Sequence, residues 1–182
     1  MNTPRNIVLG VTGSIAAYKA CELVRLLTKA GWNVHVVMTA AAQKFVAPLT
    51  FQTLSRNPVG TDAFAPVADW KPEHVSLAER ADLLLVAPCT ANFIAKLAHG
   101  IADDLLSATA LATRAPIVIA PAMNDGMWDN PATQDNLATL RRRVVRVVEP
   151  NDGELACGTL AKGRMAEPQD IVNFIMKPGL QD

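Results

Sequence analysis

The sequence lacks the features of a disulfide-stabilised, zinc-binding or membrane-spanning protein. It contains only three cysteines in 182 residues, Cys21, Cys89 and Cys157, and no two of them form a CxxC pair. This number and spacing argue against both a disulfide framework and a zinc site, so we expect reduced thiols and no metal. No apolar run reaches the roughly 18 to 20 residues that a membrane-spanning helix requires.

An excess of charge of either sign is also missing. Seventeen basic residues balance seventeen acidic ones, which leaves no overall field to attract nucleic acid or an anionic membrane. The first residues lead directly into a strand-like stretch and lack the long apolar segment of a signal peptide. We therefore expect a cytoplasmic protein with neither nucleic acid nor a membrane as a partner.

What the sequence does contain is a regular alternation of apolar, strand-like runs with helix-like segments. The predicted strands cover residues 6–11, 33–38, 83–87, 117–120 and 144–148, and nearly all of their residues are apolar. Such strands are covered on both faces, as in a parallel sheet between two layers of helices. We predict one domain over residues 1–182, a three-layer α/β/α Rossmann-like (flavodoxin-like) fold with a central parallel sheet.

Helices and irregular stretches alternate with these strands. The predicted helices cover residues 15–30, 49–56, 75–81, 91–99, 103–113, 132–142 and 168–176. Two stretches, 57–71 and 150–168, are rich in proline, glycine or polar residues and fit neither pattern. Long irregular loops in a compact domain often bind ligands or act as lids, so both stretches are candidate binding loops.

A glycine-containing turn follows the first predicted strand. Gly13, Ser14 and Ile15 lie between that strand and the first helix, where backbone N–H groups at a helix N-terminus suit a phosphate. Tight packing of the turn is an alternative reason for the glycine. The turn lacks the GK[ST] of a P-loop, which argues against hydrolysis of ATP or GTP.

The end of the second predicted strand favours a mononucleotide over NAD. A dinucleotide fold usually has Asp or Glu there, but in this chain Thr39 follows Met38. FMN fits better, because its phosphate can lie on Gly13 and Ser14 with help from the Thr39 hydroxyl.

Polar residues also follow the third and fourth predicted strands, at the sheet edge where open α/β folds bind ligands. Thr90 and Asn92 can hydrogen-bond a polar ring edge, although Thr90 equally suits the N-cap of the next helix. Asn124 stands in the segment PAMNDGMW (121–128), where two methionines and a tryptophan surround one amide that can orient a carboxylate. Core packing is an alternative for this segment.

His74 and Cys157 are the candidates for proton transfer. His74 follows an irregular loop and starts a helix, so its imidazole can face a pocket as a general base or carboxylate partner. Cys157 lies in a loop with several glycines, and a thiol on a lid can deliver a proton to a bound intermediate. Cys21 and Cys89 are interpreted as small buried hydrophobes.

These motifs, in this order, resemble the flavin-containing cysteine decarboxylases, a homo-oligomeric family. The resemblance rests on His74 and on the segments GSIAAYK (13–19), PCTAN (88–92), PAMNDGMW (121–128) and LACG to GRMAEP (155–168). It covers nearly the whole chain. Its most specific motif is PxMNxxMW, and the ACG segment favours a pantothenate-derived substrate over lantibiotic peptides.

The resemblance implies an FMN-dependent carboxy-lyase that converts 4′-phosphopantothenoylcysteine to 4′-phosphopantetheine in coenzyme A biosynthesis. The cysteine CH2–SH is oxidised to a thioaldehyde, CO2 leaves, and the remaining enethiol is reduced, with no net redox change. By the same resemblance, His74 is the base or carboxylate partner, Asn124 binds the substrate carboxylate and Cys157 is the acid of the final reduction. Ala156 and Met165 line the closed lid over the substrate.

The resemblance also implies a cofactor site and protein partners. FMN contacts are expected from Gly13, Ser14, Ile15, Thr39, Thr90, Ala91, Asn92, Phe93 and Ala122. The family forms trimers, sometimes assembled into dodecamers, with the flavin between subunits. A phosphopantothenoylcysteine synthetase domain is the other implied partner, either as a separate chain or as a C-terminal half beyond these 182 residues.

Three positions depart from the family pattern. Ser76 stands where the family often has Glu, Thr159 where Asp is usual, and Ala161 where Gly is usual. They bear on substrate detail and rate more than on the class of reaction. Four other functions stay open: a peptidyl-cysteine decarboxylase, a flavin prenyltransferase-like protein, a non-catalytic FMN-binding regulatory relative, and an electron-transfer flavoprotein of flavodoxin type.

Overall fold

A five-stranded parallel sheet forms the centre of the protein. The computed structural model describes residues 5–66, 70–154, 158 and 160–177. The strands of the sheet are β1 (Asn6–Val11), β2 (Asn33–Met38), β3 (Leu83–Cys89), β4 (Ile117–Pro121) and β5 (Arg146–Val147). Their spatial order is β2-β1-β3-β4-β5, and every neighbouring pair is parallel. This is the flavodoxin-like strand order, so the predicted fold class is confirmed.

Two apolar layers cover the sheet, one on each face. Along β1 the side chains alternate between them: Ile7 and Leu9 pack in one layer, and Val8 packs in the other. All seven residues of β3 are buried, as expected for the strand at the centre of a parallel sheet. The continuous apolar runs in the sequence follow from this two-sided burial.

Eight α-helices surround the sheet within the described residues. They are α1 (Ala17–Lys29), α2 (Pro48–Ser55), α3 (Glu73–Arg80), α4 (Ala91–His99), α5 (Leu105–Ala112), α6 (Asp125–Trp128), α7 (Pro131–Arg142) and α8 (Pro168–Ile175). A single 3₁₀ turn spans Ala42–Lys44. None of these helices has the length and apolar character needed to cross a bilayer.

Several predicted elements differ from the structure at their ends by one or more residues, and two of these differences have a clear cause. The first helix begins at Ala17 instead of Ile15, because residues 15 and 16 form a turn. The strand predicted over 144–148 shortens to β5, because Val144 has a positive φ of 63° and Val145 N–H donates to the carbonyl of Leu140. These residues still belong to the turn that ends α7.

An antiparallel hairpin occupies much of the stretch 150–168, which the sequence left without assigned structure. Its strands are β6 (Asn151–Glu154) and β7 (Leu160–Arg164), and they form a sheet of their own. The last residues of β7 run along the carboxyl end of β4, where the Met123 N–H donates to the carbonyl of Gly163 at 3.0 Å. The hairpin therefore packs onto the sheet edge where ligands are expected.

Candidate functional site

The site lies where the strand order reverses, between the carboxyl ends of β1 and β3. Thr12, which follows β1, is buried, and its hydroxyl donates to the carbonyl of Pro88 at 2.7 Å. The same hydroxyl accepts from the backbone N–H of Thr90 at 3.0 Å. One side chain thus joins the two turns that open the crevice of a flavodoxin-like sheet. Sequence reasoning missed Thr12, although it stands directly before the glycine of the predicted turn.

Gly13 is required by packing. A Cβ at this position would lie 2.4 Å from the Cβ of Ala41, which is shorter than any real contact. Tight packing of the turn, the alternative explanation in the sequence analysis, therefore accounts for this glycine. The close approach also brings the turn after β1 against the turn after β2.

Ser14 does not act as the N-cap of the first helix. Its hydroxyl accepts from the N–H of Ala16 at 3.3 Å, and Ala16 itself occupies the N-cap position of α1 without a side-chain cap. The first turn of α1 contains no acidic residue. The positive end of this helix dipole is therefore available to an anion.

A cavity of about 390 Å³, the strand-side cavity, opens between these turns. Five of the predicted cofactor residues line it: Gly13, Thr39, Thr90, Asn92 and Phe93. Its other lining residues are Thr12, Ala40, Ala41, Lys96, Asp104 and Met127. Hydroxyl, amide and ammonium groups thus stand around a volume that suits a small ligand.

Thr90 and Thr39 also stabilise the turns that they line. The Thr90 hydroxyl accepts from the N–H of Phe93 at 3.4 Å and caps α4, as the alternative prediction had it. The Thr39 hydroxyl accepts from the N–H of Ala42 at 3.2 Å. Ala91 is the first residue of α4 and is not among the residues that line the cavity.

An ionic cluster at the strand-side cavity was not predicted. Lys96 contacts the carboxylates of Asp103 at 2.7 Å and Asp104 at 2.9 Å. Burial lowers the pKa of Lys96, but these two carboxylates outweigh it and raise the pKa overall. For Asp104, burial is outweighed by hydrogen bonds from Ser107 and Lys96, so its pKa is lowered. These ion pairs join α4 to the start of α5 beside the cavity.

A second cavity of about 380 Å³, the hairpin-side cavity, lies on the other side of the Gly13–Ser14 turn. The predicted residues Ser14, Ile15, Ala122 and Met165 line it. The others are Ala16, Tyr18, Lys19, Met123, Gly163 and Arg164. This cavity is formed by the start of α1, the end of β4 and strand β7 of the hairpin.

Gly163 brings the hairpin into close contact with the residues after β4. A Cβ there would lie 2.3 Å from the carbonyl oxygen of Met123, and its φ is +147°, so the position requires glycine. Met165, two residues later, is buried at the wall of the hairpin-side cavity.

Asn124 is exposed and caps the short helix α6, its side-chain oxygen accepting from the N–H of Gly126 at 2.9 Å. Its neighbour Met123 lines the hairpin-side cavity, and Met127 lines the strand-side cavity. Trp128 is buried in the core. The segment 121–128 therefore serves both as a cavity wall and as part of the core, because its methionines line the cavities and its tryptophan packs in the core.

His74 is not brought to either cavity within one chain. It is the second residue of α3, is partly buried, and is absent from the lining of both cavities. Ser76 lies two residues further along the same helix. The predictions for Ala156, Cys157 and Thr159 lie outside the described residues.

The other two cysteines behave as small hydrophobic residues. Burial raises the pKa of both the Cys21 and the Cys89 thiol, and Cys89 is fully buried in β3. Over the described ranges of the chain, no group of three or more His, Cys, Asp or Glu residues is placed to hold a metal ion.

Charged side chains attach the hairpin to α1 and α8. Glu167 accepts from Lys19 at 2.9 Å and from Arg164 at 2.7 Å. The hydrogen bond from Lys19 is the main reason why the pKa of Glu167 is lowered, and Arg164 adds to it. Lys19 is almost fully buried, whereas Arg164 and Glu167 are half exposed.

Comparison with known proteins gives a consistent result. Residues 1–178 match the family described as Flavoprotein. The "Coenzyme A biosynthesis bifunctional protein CoaBC" of Bacillus subtilis is 51% identical over 173 residues, which are 95% of this chain and 43% of that protein. Its counterpart in Haemophilus influenzae is 50% identical over 167 residues, covering 92% and 42%. The chain thus spans less than half the length of these relatives.

Solved structures show the same similarity over almost their whole length. A PPC decarboxylase, a cysteine-to-serine mutant complexed with pantothenoylaminoethenethiol, has a TM-score of 0.84 and 30% identity. The match covers 95% of this chain and 97% of that one. The FMN-dependent cysteine decarboxylase SpaF has a TM-score of 0.82 and 35% identity, with 93% and 94% covered.

Proposed function

Because the chain belongs to the flavoprotein family, we propose that it binds FMN and decarboxylates 4′-phosphopantothenoylcysteine to 4′-phosphopantetheine in coenzyme A biosynthesis. The observation that carries the proposal is the pair of cavities on either side of the Gly13–Ser14 turn. The strand-side cavity lies at the sheet's switch point with hydroxyl, amide and ammonium groups in its lining, and the hairpin-side cavity is bounded by the start of α1, the end of β4 and β7. A cofactor and a substrate chain need two adjoining volumes of this kind.

The strand-side cavity fits FMN by the chemistry of its donors. Thr39, Thr90 and Asn92 offer hydroxyl and amide groups for a polar ring or a ribityl chain, and Phe93 adds an apolar surface. The uncapped start of α1 suits the phosphate. Gly13, Ser14, Ile15, Ala91 and Ala122 complete the proposed set of contacts. The strand order places this crevice at the β1/β3 switch point, where flavodoxin-like folds bind their ligands.

The reaction needs an electron sink next to the carboxylate of the cysteine. When bound, FMN accepts two electrons from the cysteine CH2–SH group and returns them after CO2 has left. The protein then has three tasks: to hold the carboxylate, to accept a proton from the thiol side, and to supply a proton to the enethiolate.

We assign these tasks to Asn124, His74 and Cys157. Asn124 stands at the start of α6 between the two methionines that line the cavities, where its amide N–H groups can donate to the substrate carboxylate. Cys157 lies between β6 and β7 in the sequence, and we assign substrate contacts to Ala156 and to Met165, which lines the hairpin-side cavity. A cysteine-to-serine PPC decarboxylase complexed with an enethiol supports a thiol as the final proton donor.

We propose that His74 reaches the site from a neighbouring subunit of a homo-oligomer, a trimer or a dodecamer. Two aromatic residues that precede α3 in the sequence are largely exposed: Phe64 is 93% exposed and Trp70 is 83% exposed. On the cavity side, Ile15 and Tyr18 are also more than half exposed. Large exposed apolar side chains mark interaction surfaces. Trp70 precedes His74 by four residues in the sequence, and Ile15 and Tyr18 line the hairpin-side cavity.

The relatives that share half of this sequence are bifunctional, and the chain matches less than half of each. We propose that a phosphopantothenoylcysteine synthetase domain supplies the substrate, joined to this domain or as a separate chain. A cytoplasmic location stays a prediction.

The first experiment combines a visible spectrum with mass spectrometry. The purified protein is expected to be yellow and to remove 44 Da, the mass of CO2, from 4′-phosphopantothenoylcysteine. His74→Asn is expected to abolish the mass loss. Cys157→Ser is expected to stop at the enethiol, two mass units below the product. Yellow protein that releases CO2 only from peptides ending in cysteine would replace this substrate with that of a peptidyl-cysteine decarboxylase.

A mixing experiment tests the shared site. Co-expressed His74→Asn and Asn124→Asp chains, each inactive alone, form sites in which one subunit supplies His74 and another supplies Asn124. Random assembly gives about one intact site in four, so roughly a quarter of the wild-type activity is expected. Mixed oligomers that stay inactive would place both residues on one subunit.

A further inference from the structure

The rim of the hairpin-side cavity carries more positive than negative charge. Lys19 and Arg164 both line the cavity, and both donate to the same oxygen of Glu167, at 2.9 and 2.7 Å. Two cations therefore share one carboxylate, which leaves one positive charge beside a cavity whose other side chains are largely apolar. An anionic group on a ligand in this cavity would be attracted to that charge.

The two cations differ in what they can do. The side chain of Lys19 is only 9% exposed, so its role is to hold the Glu167 carboxylate in place. The guanidinium of Arg164 is 44% exposed and has five N–H donors, of which Glu167 receives one. Arg164 is thus the group that can bind a further anion while its position is fixed by Glu167.

Arg164 is also held by the backbone. It follows Gly163, whose carbonyl accepts from the N–H of Met123 at 3.0 Å. Met165, the next residue, is buried in the cavity wall. Arg164 therefore extends from a strand that is anchored to the residues after β4.

We propose that Arg164, positioned by Glu167 and Lys19, binds the phosphate of the substrate and determines the preference for a phosphorylated pantothenoyl chain. The substrate has a carboxylate and thiol at one end, an uncharged chain, and a phosphate at the other. The apolar wall of Ile15, Met123 and Met165 and the side chain of Arg164 line one cavity, and Asn124 directly follows Met123 in the sequence. A planar guanidinium with spare donors is well suited to phosphate. The identity of the substrate in this inference rests on the proposed function.

The test compares phosphorylated with unphosphorylated ligands. We would measure kcat/KM for 4′-phosphopantothenoylcysteine and for pantothenoylcysteine in the wild type, Arg164→Gln and Arg164→Lys. Arg164→Gln is expected to lower kcat/KM about ten- to hundredfold for the phosphorylated substrate only, the size of one charged hydrogen bond. Arg164→Lys is expected to recover part of the loss, since it restores the charge without the planar donor set.

Arg141→Gln is the matched control. Arg141 is also 44% exposed and also donates to a glutamate, Glu149, but it lies on α7 and not at the cavity. Both substrates are expected to react with this variant as with the wild type. An equal loss of kcat/KM for both substrates in Arg164→Gln would give Arg164 only a structural role. No loss for either substrate would also overturn the inference.

Calorimetry separates this inference from the proposed function. Binding of 4′-phosphopantetheine and of pantetheine to the FMN-loaded protein requires no turnover. Arg164→Gln is expected to weaken only the phosphorylated ligand, and added salt is expected to reduce the wild-type preference for it. Preferential binding of the phosphorylated ligand without any CO2 release would sink the proposed reaction and leave the phosphate site standing. Equal binding of both ligands by a wild-type protein that does release CO2 would overturn the phosphate site and leave the proposed reaction in place.

Discussion

The two cavities are built from different interactions. At the strand-side cavity, the turns after β1 and β3 are joined by neutral hydrogen bonds of Thr12, 1% exposed, to Pro88 and Thr90, and the ion pairs of Lys96 lie beside them at the α4–α5 junction. The hairpin-side cavity depends on β7, which is attached through the charges of Lys19, Arg164 and Glu167, a backbone hydrogen bond from Met123 and the close contact of Gly163. The half of the site around the strand-side cavity belongs to the core of the domain. The half around the hairpin-side cavity is attached to that core.

This difference predicts which half opens first. A buried hydrogen bond contributes about 1 kcal/mol and is hardly screened by salt. An exposed ion pair contributes about 0 to 1 kcal/mol, and salt weakens it further. We therefore expect the hairpin to leave the sheet edge before the turns on the cofactor side separate. Such a division suits an enzyme that must admit a long substrate without releasing its cofactor.

Gly163→Ala is the strongest test of this comparison. The new Cβ would overlap the carbonyl oxygen of Met123, and neither backbone can yield without moving the hairpin. A shift of about 1 Å in a catalytic group costs on the order of a hundredfold in rate, so we expect at least that loss in kcat/KM. The visible FMN spectrum and the Tm are expected to stay close to wild type.

Gly153→Ala is the control for that substitution. Gly153 lies in the same hairpin and has a similar φ of +157°, but its added Cβ would meet the flexible end of Arg164 at 3.3 Å. A much smaller loss of activity is expected. Equal losses in both variants would show that general strain in the hairpin, and not the contact with Met123, limits the rate.

Gly13→Ala tests the strand side, where damage is expected to reach the fold. Overlap with the Ala41 Cβ is predicted to cost about 1 to 3 kcal/mol and to weaken FMN binding, as followed by thermal unfolding and fluorescence titration. Ala41→Gly in the same chain removes the overlapping atom and should restore part of both properties. If Gly13→Ala lowered activity while Tm and FMN affinity stayed unchanged, the strand-side cavity would not be more closely tied to the fold than the hairpin-side cavity.

Much of this architecture follows from the sequence. Buried parallel strands are continuous apolar runs, so β1 and β2 have the predicted ends. Helix α4 also begins and ends as predicted, because Thr90 caps its start and Gly100, with a φ of +69°, ends it. The residues after β1, β2 and β3 converge on one cavity, as the rule for open α/β sheets requires.

The hairpin and the links between turns could not be predicted from local patterns. The sequences NDGE and LAKGR show no alternation, because β6 and β7 form a two-stranded sheet with a register shift. Thr12 acquires its role only from a contact with Pro88, 76 residues away. The charge cluster of Lys19 and Glu167 joins residues 148 apart. Interactions of this kind depend on the tertiary fold and leave no periodic signal.

Thr12→Val is expected to have an intermediate effect. It removes one bond to Pro88 and leaves the Thr90 N–H without its partner, which costs about 1 to 3 kcal/mol at a buried site. Thr109→Val is the matched control, because the Thr109 hydroxyl is equally buried but bonds only within its own helix, to Leu105. We expect a larger drop in Tm and in FMN affinity for Thr12→Val. Equal losses of Tm and FMN affinity in the two variants would show that Thr12 contributes no more to the crevice than any other buried threonine.

Glu167→Gln is the smallest change and tests the charged side of the comparison by pH. Its pKa is lowered in the folded protein, so its stabilising effect is present above the unfolded pKa of about 4.3 and is lost as the pH falls through the folded pKa. The wild type should therefore have the higher Tm near pH 7, by an amount equivalent to less than about 1 kcal/mol for half-exposed charges, and the difference should vanish in acid. Glu22→Gln, which removes an exposed glutamate paired with Arg25 on α1, should leave the Tm unchanged at neutral pH. A Tm difference for Glu167→Gln that persisted unchanged into acid would mean that packing, and not its charge, attaches the hairpin to the domain.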